Sequence, residues 1–167
     1  MTSPAGTARC RSGDTLIAPN YSASICWSIC IDIANTHFGD PPSRSFVHGD
    51  AVQYLDTASD TERFTIALCC GSFAYFSEAG ARSVLRNLHD RFLNIERVFI
   101  WDLPDLDRAS LFYTVRQAAE GEMLDPSSQI AIWRSRSEFE RLARDAGWRT
   151  EFSSIPEDFF PLTIVTM

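Results

Sequence analysis

Residues 46–77 constrain what this chain can fold into more than any other stretch. Phe46-Val47-His48-Gly49-Asp50-Ala51 is followed, after a polar connection, by Phe64-Thr65-Ile66-Ala67-Leu68-Cys69-Cys70-Gly71-Ser72-Phe73-Ala74-Tyr75-Phe76-Ser77. Short apolar runs bounded by small or polar residues predict buried strands. The unbroken run over 64–70 has the pattern of a central parallel strand, covered on both faces. The first run ends at an acid, Asp50, and the second at Gly71 and Ser72. Open α/β sheets bind ligands beyond the carboxyl ends of their strands, so these residues are the first candidates for a site. No glycine-rich nucleotide loop precedes them.

The surrounding pattern alternates strand and helix. Ile25–Ile33 is short and rich in β-branched residues, which predicts a strand ending near Asp32 before the breakers Gly39, Asp40, Pro41 and Pro42. Ser45–His48 reads as a strand, with one helical turn over Ala51–Leu55. Residues 78–94 carry Val84, Leu85, Leu88 and Phe92 on one stripe and predict an amphipathic helix. Arg97–Asp102 is a further strand, stopped by Pro104. Residues 107–120 have helical spacing through Leu111, Val115 and Ala118, ending at Gly121. Ser135 and Glu138 form a capping-box pair ahead of a helix whose apolar face is Phe139, Leu142, Ala143 and Ala146, with Gly147 as its stop. Thr150–Ile155 and Leu162–Thr166 predict a closing antiparallel pair. Strands alternating with helices imply an α/β layered sheet. A length of 167 residues implies a single domain over 1–167, with residues 1–24 read as an irregular amino-terminal arm apart from a short strand within Thr15–Ala18.

Composition removes several function classes. Fifteen basic against 22 acidic residues leave a net charge of −7, the wrong sign for a duplex nucleic-acid partner. Five cysteines (10, 26, 30, 69 and 70) include no Cys-x-x-Cys spacing. An odd count with two adjacent in a core strand reads as free thiols rather than a disulfide frame or a zinc site. The first residues lack the charged and apolar regions of a signal peptide, and the most apolar stretch, 23–34, is interrupted by Ser24, Ser28 and Asp32. The expectation is a soluble, cytoplasmic protein without membrane contact.

Each candidate residue also has a structural role to weigh. Asp50 can read an exocyclic amine or cap the next helix, and Asp32 can bind a ligand or close a turn. Gly71 and Ser72 suit either close ligand approach or a tight strand-to-helix turn. Tyr75 and Phe76 can wall an aromatic pocket or pack beneath a loop. Asp102, beside Pro104, is placed for substrate contact or for turn chemistry. His48 is a candidate proton acceptor, since histidine as a residue type titrates near neutrality, but a lone strand histidine is more often structural; His37 and His89 have weaker cases, and His89 reads as a solvated residue among polar neighbours of its helix.

In order and spacing, residues 28–167 resemble the later part of a class I S-adenosylmethionine-dependent methyltransferase. Ile29-Cys30-Ile31-Asp32-Ile33 resembles the second strand, Val47-His48-Gly49-Asp50-Ala51 the third, Phe64 through Ser72 the fourth, and Val98 through Pro104 the fifth. The segment from Ile132 through Trp148 resembles the late helix, and the last two strands the closing hairpin. The resemblance implies a three-layer Rossmann-like sheet, mostly parallel with an antiparallel carboxyl-terminal strand. Its first strand and loop are degenerate or missing, because Leu16–Trp27 contains no glycine. It further implies S-adenosylmethionine as cofactor, bound by Asp32, Asp50, Ala51, Gly71 and Ser72, and methyl transfer to a small-molecule substrate contacted by Tyr75, Phe76 and Asp102. The competing implication is a non-catalytic, truncated module for ligand or partner binding; a homodimer or a protein partner stays open. A second, local resemblance links Ile31–His37 to the first phosphate-binding segment of type III pantothenate kinases.

Overall fold

The apolar runs do form a sheet, and its strand order shows how the chain is wound. The computed structural model describes residues 16–18, 21–24, 28–41, 43–114, 117–128, 130–154 and 162–167. The described residues form seven strands: β1 (Leu16–Ala18), β2 (Tyr21–Ser24), β3 (Arg44–Val47), β4 (Ile66–Cys70), β5 (Arg97–Pro104), β6 (Glu151–Ser154) and β7 (Leu162–Thr166). They lie in one sheet in the order β3-β2-β1-β4-β5-β7-β6. This is the doubly wound order 3-2-1-4-5-6 with a last strand inserted. β2 with β3 and β4 with β5 pair in parallel, whereas β7 is antiparallel to both β5 and β6.

The first strand is degenerate in a specific way. β1 has three residues and runs antiparallel to both neighbours, β2 and β4. β2, β3, β4 and β5 therefore share one direction across a reversed strand. The short strand expected within Thr15–Ala18 is thus present. Tyr21–Ser24 is a sheet strand and not part of an irregular arm; residues 1–15 lie outside the described residues.

Five helices accompany the sheet among the described residues: α1 (Ser28–Phe38), α2 (Ala51–Thr57), α3 (Glu78–Arg91), α4 (Ala109–Phe112) and α5 (Arg136–Asp145). α1 overturns the expected strand over Ile25–Ile33. β-branched content suggested an extended segment, but a tertiary contact holds the helix in place. Asn35 donates from Nδ2 to the Phe46 carbonyl at 2.8 Å and accepts from the Phe46 amide on Oδ1 at 2.9 Å. The helix thereby satisfies backbone groups on the free edge of β3, where unpaired N–H and C=O invite aggregation. The same contact removes the phosphate-loop reading of Ile31–His37, since Asn35 and Thr36 are helical rather than at a strand end.

The hydrophobic core joins α2, α3 and α5 to β4, β5 and β7. The predicted α3 stripe is its centre, with Val84, Leu85, Leu88 and Phe92 each 2% exposed or less. Phe139 of α5 packs against Phe73 at 5.4 Å and Phe152 at 6.1 Å between ring centroids, tying the helix to the sheet. The capping box at Ser135 and Glu138 forms as expected. Beyond α5, the Gly147 amide donates to the Arg144 carbonyl and the Trp148 amide to the Ala143 carbonyl, both at 3.0 Å. This is the paired closure of a Schellman motif, with Gly147 at φ +94°.

The helix expected over 107–120 is cut to the single turn of α4. Phe112 and Tyr113 turn onto Trp133, with centroids 5.6 and 5.7 Å away. Gly121 at φ +73° opens a separate 3-10 turn over Glu122–Leu124. Aromatic packing here outweighs a helical period whose apolar stripe had no single face to cover. No helix of the described residues is long and apolar enough to cross a membrane.

Candidate functional site

A doubly wound sheet binds its ligand where the strand order reverses, outside the carboxyl ends of the strands. Here the reversal falls between β1 and β4. The carboxyl edge brings together Asp50 after β3, Gly71 after β4 and Asp102 near the end of β5. Asp50 and Gly71 are separated by three strand spacings, about 14 Å at about 4.8 Å each, enough for an extended nucleoside derivative.

β4 and β5 build the best-defined part. The Gly71 amide donates to the Trp101 carbonyl at 3.0 Å, continuing the ladder one step past Cys70. Gly71 then turns at φ +67°, a conformation glycine adopts without a Cβ penalty. A Cβ placed on it would lie 3.9 Å from Asp102 Oδ2, so the Asp102 carboxylate reaches over this turn. Asp102 itself sits at φ +60°, where β5 shifts register between Ile100 and Leu103. Bulges re-aim side chains, and a strained non-glycine residue is a marker of function. The Asp102 side chain is exposed. Burial, and after it the Asp102 charge, push the Cys70 thiol above its ordinary value.

The remaining candidates separate. Asp50 is exposed, and its Oδ1 accepts from the Gln53 amide at 2.9 Å, capping α2; its second oxygen is not used in this cap. Ala51 is buried beneath Asp50 as the first residue of α2. Ser72 lies next to Gly71 but faces inward, with Oγ 3.2 Å from Cys69 Sγ. Asp32 does not lie at a strand tip: it is exposed within α1, after the β2 end, and residues 25–27 between them lie outside the described residues. Phe76 belongs to the core, edge-on to Phe73 at 5.6 Å, and Tyr75 is half-buried.

The sequence reading passed over two residues of this edge. Cys70 is exposed while its neighbour Cys69 is buried, an alternation hidden inside a continuous apolar run. Trp101 is 47% exposed at the tip of β5, out of phase with buried Val98 and Ile100; that period of two is legible once 97–102 is read as a strand.

No protein-family model and no curated protein matches the sequence. Solved structures do match its fold. The methyltransferase domain of bacterial CtHen1-CN superposes with a TM-score of 0.56 at 14% identity, over 87% of this chain and 75% of that one. Magnesium protoporphyrin IX methyltransferase (ChlM) from Synechocystis PCC 6803, with bound SAH, gives 0.55 at 11% identity over 86% of this chain. The methyltransferase CalO6 gives 0.54 at 17% identity over 83% of this chain. The chain spans 61% of ChlM and 44% of CalO6. With its strand order, its inserted antiparallel β7 and these superpositions, the chain has the fold of the class I S-adenosylmethionine-dependent methyltransferases, built here with a short and reversed first strand.

Proposed function

We propose that this chain transfers a methyl group from S-adenosylmethionine to a small-molecule acceptor at the carboxyl edge of its sheet. One observation carries the reading: Asp50, Gly71 and Asp102 share that edge across the point where the strand order reverses.

The described residues fit the nucleoside half of such a cofactor. Asp50 Oδ2 is left over from the α2 cap and can accept from an exocyclic amine. Gly71 leaves its turn without a side chain. For the methionine half the described residues supply no glycine cradle, because the carboxyl edge between β2 and β4 holds the beginning of β1 rather than its end. When bound, the cofactor supplies an electrophilic methyl on sulfur. The chain's own contribution is then placement, which for two reactants held in line can be worth several kcal/mol. Asp102 accepts a hydrogen bond from the hydroxyl or amine of the acceptor and turns its lone pair toward the edge.

Calorimetric titration with S-adenosylmethionine tests this reading. The expected result is saturable micromolar binding, weakened about tenfold by Asp50→Ser. Serine keeps the helix cap, so the loss reports the carboxylate and not the fold. Absence of binding at millimolar cofactor would overturn the proposal and leave the sheet as a non-catalytic ligand- or partner-binding module.

A further inference from the structure

The tip of β5 holds an exposed aromatic ring next to an exposed carboxylate. Trp101 is 47% exposed. Its register partner in β4 is Cys70, also exposed, whereas the preceding pair, Cys69 and Ile100, belongs to the core under α3 and α5. Side chains alternate faces along a strand, so Trp101 and Cys70 stand together on the opposite face of the sheet.

Asp102 follows Trp101, and regular alternation would turn it back toward the core. The left-handed backbone at φ +60°, inside the register shift of β5, breaks that alternation. The carboxylate is exposed instead, with Oδ2 3.9 Å from the place of a Cβ on Gly71, and its charge reaches the Cys70 thiol. Among the described residues no side chain pairs with this carboxylate and no group donates a hydrogen bond to it. Nor does any ring or cation rest against the Trp101 indole.

Both groups favour positive charge. A carboxylate attracts a cation directly, and an indole face carries the negative side of the ring quadrupole. The net charge of −7 draws cations from a distance and repels anions. A neutral hydroxyl would use the carboxylate alone, through an ordinary hydrogen bond, whereas an ammonium makes the stronger charge-assisted one beside the indole. An anionic acceptor would meet the Asp102 charge.

We propose that Trp101 and Asp102 select the methyl acceptor, and that this acceptor is a small amine with an apolar body, bound as its ammonium. The inference rests on the methyl-transfer reading and names the acceptor class for that same edge. The nitrogen faces the Asp102 carboxylate and the body lies against the indole. Before transfer the ammonium gives one proton to solvent. The nitrogen lone pair then forms the new N–C bond while the C–S bond to the methyl breaks, and the electron pair of that bond stays on sulfur. Positive charge thereby passes from sulfur to nitrogen, where the Asp102 carboxylate stabilises it.

The test is an NMR titration of the full chain, following the Trp101 indole N–H, which is identified by its loss in Trp101→Phe. The Trp148 indole, which donates to the Leu85 carbonyl at 2.9 Å, serves as internal reference. The probes are benzylamine, a cation at neutral pH, and the similarly sized benzyl alcohol and benzoate. Benzylamine should shift the Trp101 resonance saturably and bind about fivefold more tightly than the alcohol, and benzoate should leave it unmoved. Asp102→Asn should reduce the preference to about twofold; asparagine keeps the shape and tolerates a left-handed backbone, so the loss reports the charge. Saturating S-adenosylhomocysteine should leave the benzylamine shift in place. No saturation up to about 50 mM, equal binding of the alcohol, a benzoate shift, or a preference that survives Asp102→Asn would each overturn the amine assignment, and cofactor binding by calorimetry would then leave the methyl-transfer reading standing. Displacement of benzylamine by S-adenosylhomocysteine would put the amine in the cofactor's own place and overturn the acceptor role. Amine selectivity without any cofactor binding would overturn that role and the methyl-transfer reading together.

Discussion

Gly147→Ala isolates the physics that ends α5. Gly147 holds φ +94°, and a left-handed conformation costs a residue bearing a Cβ about 1 kcal/mol or more. A Cβ there would also sit 2.5 Å from His89 Nε2, 2.7 Å from Cε1 and 2.8 Å from Cδ2. The His89 side chain is 43% exposed and can swing aside. In doing so it gives up an edge-on contact with Trp148, whose centroid lies 5.4 Å away at 84°. That contact is worth about 0.5–1.5 kcal/mol. Against these losses, alanine narrows the unfolded ensemble and returns about 0.4–1 kcal/mol. The net expectation is a destabilisation of about 1.5 kcal/mol, or a fall in Tm of about 3–6 °C for a chain of this size. Denaturant unfolding of the wild type, Gly147→Ala, His89→Ala and the double variant separates the two contributions. In the His89→Ala background the glycine replacement should cost about 1 kcal/mol less, a coupling expected of side chains in contact. Equal costs in both backgrounds would refute the steric argument, and a cost near zero in the wild-type background would refute the conformational one.

Phe139→Ala, which empties the space between Phe73 and Phe152, should destabilise by about 3–5 kcal/mol in the same measurement; a loss under 1 kcal/mol would mean that α5 does not hold the core together. Glu138 has its pKa lowered first by the Ser135 amide and then by the Ser135 hydroxyl. A carboxylate lowered on folding stabilises fully above its ordinary value of 4.5, and that stabilisation disappears as pH falls through the lower folded value. The stability gap between wild type and Glu138→Gln should therefore be open at pH 7 and shrink in acid; a gap constant with pH would contradict the capping box as its source. Cys70 has its pKa raised, first by burial and second by Asp102. Asp102→Asn should speed its alkylation at mildly alkaline pH, followed by mass spectrometry, and an unchanged rate would place the Asp102 charge away from the thiol.

The central strands and their order along the chain were legible because a buried strand needs a run of apolar residues and an exposed helix face needs an interrupted one. α3 and α5 were legible for the same reason, reinforced at α5 by local chemistry in Ser135, Glu138 and Gly147 that acts within a few residues. The site was legible only in outline. Asp50 and Gly71 stand where their runs end, and their meeting along one edge follows from strands of shared direction. Asp32 misled because α1 is held by Asn35 against β3, a contact between residues 11 apart that no local period records. Phe76 misled because an aromatic at a strand exit reads alike whether it faces a ligand or the core.

The sequence by itself determined which segments are apolar enough to be buried, where α3 and α5 begin and stop, and that an acid and a glycine close two of the strands. Those properties depend on residues a few positions apart. Only the tertiary structure decided that β1 runs against its neighbours, that Asp102 is bent over Gly71 at a bulge, and that Trp101 stays exposed beside Cys70. Strand direction, register and desolvation belong to contacts between distant segments, and each is settled by the packing of the whole sheet.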